Sequence, residues 1–250
     1  GYDQALRPQF HFTSRRNWLN DPNGMVFDGE KYHLFFQHNP LGTGWGNMTW
    51  GHAISTDMIH WRQVNHALMP YQTGGLSGTI YSGTAVVDHN NSLGYQIGSR
   101  KTLAAFYTYA NNLPFYQGLA YSTDGGVTWQ YHDEGREIVP NQGFDNGERD
   151  PKVFWHEASQ RWVMVLWVQN NPGRIRFFTS TDLKDWTFAS DLMRNWAFEC
   201  MDMFPLPVDG NPAQTKWVIY DADFDYEIGS FDGTTFQTEA GAFRAGHGSF

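Results

Sequence analysis

Short runs of β-branched and aromatic residues, each closed by a polar turn, recur along the chain, and none of them has helical spacing. Tyr32 to Phe36, Leu103 to Tyr109 and Trp162 to Val168 have strand length and strand composition. Further along each copy come Trp50 to Ile54, Gln117 to Tyr121 and Ile175 to Phe178. These lead into Ser55-Thr56-Asp57, Ser122-Thr123-Asp124 and Ser180-Thr181-Asp182, and then into Trp61, Trp129 and Trp186. Each copy predicts a hairpin: strand, polar turn, and a strand opened by Trp. A fourth copy runs from Trp217 to Tyr220 and on to Ile228-Gly229-Ser230-Phe231-Asp232-Gly233. A four-stranded unit repeated every ~50–65 residues is the pattern of β-propeller blades.

Each unit also has an opening strand: Met25-Val26-Phe27, Ala85-Val86-Val87, Lys152-Val153-Phe154 and Met203-Phe204. The first strand of every propeller blade lines the central channel. Asp21, Ser82, Asp150 and Glu199 lie three to five residues before Val26, Val86, Val153 and Met203. The repeat therefore brings Asp21, Asp150 and Glu199 to one axis although they are far apart in sequence. Steps of 61, 68 and 49 separate the four anchors, and one more step reaches Ser249-Phe250. The expectation is an all-β chain with four complete blades and the first residues of a fifth. Closure with four blades is the alternative; a missing blade leaves two unpaired sheet edges, so a piece of a longer protein is favoured.

Three carboxyl groups around one pocket point to glycoside hydrolysis, which needs a carboxylate and a carboxylic acid flanking the scissile bond. The acid needs a raised pKa, and Glu199 has an apolar sequence setting in Trp196-Ala197-Phe198 and Cys200-Met201. Asp21, in Asn20-Asp21-Pro22-Asn23-Gly24, has amide donors nearby to keep it ionised. Arg149 favours the ionised form of Asp150.

Composition narrows the ligand. The chain of 250 residues carries a net charge of −9, which repels nucleic acid and anionic membrane surfaces. Charged residues are 17%, against about 25% in an average domain, and aromatics are also 17%, so the chain is globular and suited to a neutral, polar-faced ligand such as a sugar. No run of 18 apolar residues is long enough to span a bilayer. Cys200 is alone, so neither an intrachain disulfide nor a cysteine zinc site is expected, and the ten His residues lack metal-binding spacing. Asp221-x-Asp223-x-Asp225 faintly resembles a calcium loop, but Tyr226 stands where a Gly is needed, and solvated rim acids are the better reading. Phe115-Tyr116 and Asp221 to Tyr226 are placed on rim loops. The chain begins at Gly1 with no signal peptide.

Six segments, in order and over essentially the whole chain, resemble glycoside hydrolase family 32, which contains invertases, inulinases and levanases. They are Asn17-Trp18-Leu19-Asn20-Asp21-Pro22-Asn23-Gly24, Phe35-Phe36-Gln37-His38-Asn39-Pro40, Trp45-Gly46-Asn47-Met48-Thr49-Trp50-Gly51-His52-Ala53, Tyr81-Ser82-Gly83-Thr84-Ala85, Arg149-Asp150-Pro151 and Glu199-Cys200. The resemblance implies a five-bladed propeller followed by a C-terminal β-sandwich. Residues 1–250 would then be a catalytic propeller domain, incomplete at its C-terminus and without the sandwich. It also implies a retaining hydrolysis of β-fructofuranosidic bonds in levan or inulin, with sucrose a further candidate. Asp21 would be the nucleophile, Glu199 the acid and then the base, and Asp150 the transition-state stabiliser. Asn20, Gln37, Trp45, Ser82 and Arg149 would shape the pocket, and Cys200 would sit behind Glu199 and tune it. No metal or cofactor is implied, and a polymer substrate implies secretion, the periplasm or the cell surface. Leu19 replaces the family's usual Met, and Tyr81 and Thr84 depart from Phe-Ser-Gly-Ser. The rival readings are a fructosyltransferase on the same fold, a non-catalytic sugar-binding propeller, and an inverting arabinan or xylan hydrolase.

Overall fold

The structure, a computed structural model, describes residues 2–246. Among them there is no α-helix, only one short 3-10 helical turn at His132–Gly135, and seventeen strands in four antiparallel sheets. Blade I is β1 (Leu19–Phe27), β2 (Tyr32–His38), β3 (Thr49–Ser55) and β4 (Arg62–Gln63). Blade II is β5 (Tyr71–Thr73), β6 (Leu76–Asp88), β7 (Thr102–Ala110), β8 (Tyr116–Ser122) and β9 (Gln130–Tyr131). Blade III is β10 (Arg149–His156), β11 (Arg161–Gln169), β12 (Arg174–Ser180) and β13 (Thr187–Met193). Blade IV is β14 (Asp202–Val208), β15 (Asn211–Tyr220), β16 (Asp225–Phe231) and β17 (Phe236–Arg244). In each sheet neighbouring strands follow one another in sequence, so each blade is a meander. The four blades agree with the repeat; the first residues of a fifth, near Ser249-Phe250, lie outside the described residues. β5, which pairs with the first half of β6, was not anticipated.

The middle strands β7 and β11 are buried over nearly their whole length because blades II and III each pack between two others, whereas β15 of blade IV is exposed from Asn211 to Thr215. β7 is buried at every residue. One apolar cluster joins blades I and II through Phe35, Trp50, Ile80 and Tyr107. A second joins blades II and III through Phe106, Leu119, Met164 and Leu166. A third joins blades III and IV through Val165, Phe177, Met203 and Ile219. Each fully buried large side chain contributes about 1.5–3 kcal/mol, so these three interfaces hold the successive sheets together. Gly24 marks how close they come: a Cβ there would lie 2.1 Å from the Ala85 amide nitrogen.

The Ser-Thr-Asp turns are built alike. Ser55, Ser122 and Ser180 each donate a hydroxyl hydrogen bond to the Asp two residues on, at 3.0, 2.8 and 3.1 Å. Those Asp residues accept the amides that open the next strand, such as His60 at 2.8 Å, Thr128 at 2.9 Å and Asp185 at 2.8 Å. This is side-chain capping of a turn, which is why the triplet recurs.

Candidate active site

The inner strands β1, β6 and β10 each carry a register irregularity at the residues singled out by sequence. The pairing slips between Leu19 and Pro22, between Tyr81 and Gly83, and between Arg149 and Lys152. A regular strand sends successive side chains to opposite faces; a bulge re-aims one of them. So Asn20 and Asp21, Tyr81 and Ser82, and Arg149 and Asp150, three consecutive pairs, all line one cavity of about 190 Å³. Each pair is followed by Pro22, Gly83 or Pro151, residues that interrupt a ladder. Glu199 enters from the turn before β14, and Gln37 and Trp45 complete the wall. All eight predicted site residues therefore converge. Tyr81 is a ninth lining residue that the sequence reading did not assign to the site. Its place as the first member of a pair before a ladder-breaking residue, like Asn20 and Arg149, was the available signal.

Neighbouring blades hold these residues in place. The Ser82 hydroxyl donates to Asp21 Oδ2 at 2.6 Å, and Asn20 Nδ2 donates to Asp21 Oδ1 at 3.1 Å. The Trp50 indole, from blade I, donates to the Tyr81 carbonyl at 2.9 Å. The Trp167 indole, from blade III, donates to the Ala197 carbonyl at 3.2 Å, two residues before Glu199. Asp221 Oδ2 accepts the Phe198 amide at 3.1 Å from the other side of that turn. Asn39, buried, accepts the Leu41 amide and donates to the Gly44 carbonyl, which shapes the loop carrying Trp45. The Trp45 ring meets Tyr81 edge-on at 5.8 Å, and Tyr81 meets Phe115 at 5.5 Å. Gln37 is 2% exposed and its Nε2 has no partner, which leaves a buried donor at a cavity wall.

Asp150, Glu199 and Cys200 have left-handed backbones, with φ of 66°, 26° and 46°. Such conformations cost about 1–3 kcal/mol each and collect at functional sites. Beneath Asp150 a buried chain of hydrogen bonds compensates. Its amide donates to Thr108 Oγ1 at 2.9 Å, Thr108 donates to Gln117 Oε1 at 2.6 Å, and Gln117 donates to the Glu148 carbonyl at 3.1 Å. Glu148 is itself buried and accepts the amides of Gln142, Phe144 and Asp145, which fixes the segment 141–148.

The electrostatics differ from expectation at two places. Glu199 is one-third exposed, and its Oε2 accepts Arg149 Nε at 3.1 Å and a terminal guanidinium nitrogen at 2.8 Å. Its apolar sequence neighbours face elsewhere: Met201 and Ala197 pack in the blade III–IV core and Trp196 donates to Glu227. Asp150 is the buried carboxyl. Burial pushes it up to about 6, and Arg149 opposes this without cancelling it. Cys200 stands against the two aspartates, with Glu199 a further charge acting on its thiol. Its sulfur lies 3.5 Å from Asp150 Oδ2 and 3.8 Å from Asp21 Oδ2, and its amide donates to Asp150 Oδ2 at 3.0 Å. Burial first, and then these carboxylates, raise the thiol well above its ordinary range. Arg149 itself stacks on Trp167 at 4.5 Å and Phe198 at 5.7 Å, so its planar fork is fixed.

Two rim assignments are corrected. Tyr116 is core: its ring stacks on Tyr109 and its hydroxyl donates to the Gly135 carbonyl, so only Phe115 borders the site, through Tyr81. Asp221 is fully buried and not a solvated acid, because it accepts the amides of Phe198, Asp223 and Asp225. Among the described residues no cluster of His, Cys, Asp and Glu is arranged to hold a metal. No described helix is long and apolar enough to cross a membrane.

The family described as glycosyl hydrolases family 32 N-terminal domain matches residues 11–248. A levanase of Bacillus subtilis is 45% identical over 95% of this chain and 36% of its own length. An extracellular exo-inulinase of Aspergillus niger is 37% identical over 98% of this chain and 52% of its own. In structure, the exo-inulinase of Aspergillus awamori superposes with a TM-score of 0.85 at 37% identity, over 96% of this chain and 53% of that one. The fructofuranosidase of Schwanniomyces occidentalis complexed with fructose superposes with a TM-score of 0.83 at 33% identity, over 94% and 48%. The chain thus spans about a third to a half of the length of the relatives it matches.

Proposed function

The chain belongs to glycosyl hydrolase family 32, and on that premise we propose that its four blades carry the site of a retaining β-fructosidase. The observation that carries the reading is the convergence of Asp21, Asp150 and Glu199 with six polar and aromatic wall residues on one cavity of about 190 Å³. That volume suits a single sugar ring and is smaller than the usual pocket for a larger ligand.

The reaction runs in two displacements. Asp21, oriented by Ser82 and Asn20, attacks the anomeric carbon of a terminal fructofuranosyl unit. Glu199 gives a proton to the leaving oxygen, the glycosidic bond breaks, and a fructosyl ester remains on Asp21. Glu199 then takes a proton from water, which displaces Asp21 and restores both groups. Asp150, Arg149, Asn20 and Gln37 grip the sugar hydroxyls, most tightly as positive charge develops on the ring. Trp45 and Tyr81 supply an apolar wall.

The substrates are levan or inulin, and sucrose; the named activities of the levanase, exo-inulinase and fructofuranosidase relatives support this class. A five-bladed propeller with a following sandwich is the fuller architecture. Its support is the exposed face of β17, solvent-facing from Gln237 to Arg244, and the greater length of the relatives. An extracellular relative supports action outside the cell.

The test is product analysis on levan, inulin and sucrose, with the first-formed anomer read by NMR. Release of β-fructofuranose supports retention; the α anomer refutes it. Asp21→Ala should abolish turnover, and a residual rate above about a tenth sinks the nucleophile assignment. Glu199→Gln should slow it by roughly 10²–10⁴.

A further inference from the structure

A second cavity lies away from the site. At about 440 Å³ it is lined by Arg15, Lys31, His52, Arg62, Asn65 and Gly126, among others, and by no carboxylate. β1 runs from Asn20 and Asp21 at one end of blade I to the turn 28–31 at the other, and the cavity opens at that second end. It lies between the outer strands of blade I and the Ser122–Thr128 turn of blade II.

Three features of its wall point to a ligand. The Lys31 ammonium and the Arg62 guanidinium have no hydrogen-bond or ion-pair partner among the described residues, and Arg15 makes only one side-chain contact, to the Gln63 carbonyl at 3.1 Å. The nearby acids are already engaged. Asp28 accepts His33 and the amides of Glu30 and Lys31, Glu30 faces Arg100 at 3.8 Å, and Asp124 caps its own turn. Third, His52 is 2% exposed and its Nδ1 has no partner.

The state of that nitrogen follows from the chain behind it. Asp28 lies below the ordinary carboxylate range; burial opposes this, but hydrogen bonds from His33 and two amides outweigh it. An ionised Asp28 can only accept, so His33 Nε2 carries the proton between them at 3.0 Å. Burial lowers His33 and lowers His52 to about 3, so both rings are neutral. His33 Nδ1 therefore accepts from His52 Nε2 at 2.9 Å, and His52 Nδ1 is left as a buried lone pair. Gly126 closes over the two rings, where an added Cβ would approach within 3.0 and 3.2 Å of their Cε1 atoms.

We propose that this cavity binds a small oxyanion that also carries a hydroxyl donor, of the phosphate or sugar-phosphate class. The anionic oxygens meet Lys31, Arg62 and Arg15, and the ligand O–H donates to His52 Nδ1. A bare acceptor such as sulfate satisfies the cations but sets an oxygen lone pair against the imidazole lone pair.

Calorimetric titration at fixed ionic strength and pH 7 tests this with inorganic phosphate, fructose 6-phosphate and sulfate. Phosphate or fructose 6-phosphate should bind at least about tenfold more tightly than sulfate, the effect of one hydrogen bond made against one lone-pair clash. Fructose 6-phosphate binding more tightly than phosphate identifies the sugar ester as the ligand; equal affinity identifies free phosphate. Lys31→Gln with Arg62→Gln should weaken either ligand by a further roughly tenfold or more, with an unchanged melting temperature in ligand-free buffer. Equal binding of sulfate and phosphate, no binding at millimolar concentration, or affinity unchanged in the double variant overturns the proposal. Fructoside hydrolysis is not the readout, so failure here leaves the proposed active site untouched.

Discussion

Thr108→Val removes one hydroxyl and almost nothing else. Thr108 is fully buried, and its Oγ1 accepts the Asp150 amide at 2.9 Å while donating to Gln117 Oε1 at 2.6 Å. Valine fills the same space, so no cavity opens. It does leave a buried amide hydrogen and a buried amide oxygen unpaired, at about 1–3 kcal/mol each, or about 2–6 kcal/mol together. That is a large share of the ~5–15 kcal/mol that holds a domain folded. The loss falls on a residue whose φ is 66°, so the backbone of Asp150 gains freedom to relax and to carry its carboxyl away from the cavity. The urea midpoint should drop while the slope of the transition stays constant, and kcat on sucrose should fall even at temperatures where the variant is fully folded. A stability loss under about 1 kcal/mol together with an unchanged kcat would refute the role given to Thr108 and Gln117 as positioning residues.

Gly24→Ala puts a Cβ 2.1 Å from the Ala85 nitrogen at a φ of 39°, and backbone cannot yield there; thermal melting should show a loss of more than about 3 kcal/mol, and a near-native melting point would mean the inner strands of blades I and II are not in contact. Cys200 is half-buried, but its thiol is raised and two aspartates stand against the thiolate, so it should react slowly with iodoacetamide at pH 8 in the folded protein and faster after unfolding; rapid native labelling, read by mass spectrometry, would contradict that environment. Asp221 is pushed up to about 6, chiefly by burial. The folded state then holds that proton more tightly than the unfolded chain, so the group's contribution to stability falls as pH rises from about 4 to about 6. Asp221→Asn should therefore gain on the parent through that window, whatever its constant offset, and a pH-independent difference would count against the burial of Asp221.

Sequence by itself determined the strand-turn-strand repeat, the four blades and the convergence of Asp21, Ser82, Asp150 and Glu199. These follow from local chemistry and period alone: side-chain-capped Ser-Thr-Asp turns, apolar runs of strand length, and one register shared by successive units. It also located the pocket walls Asn20, Gln37, Trp45 and Arg149, through the resemblance of whole motifs. Tertiary structure decided the rest, because burial and facing are properties of neighbours far away in the chain. Tyr116 and Asp221 look like loop residues in sequence, yet each is covered by segments that the sequence order does not reveal. Asp150 follows an arginine, but the desolvation of a fully enclosed carboxyl outweighs that charge. Glu199 has apolar neighbours in the chain and an ionic one in space. Above all, the bulges on three inner strands turn two consecutive side chains toward one cavity, which a regular period of two forbids. Tyr81 joins the site for that reason alone.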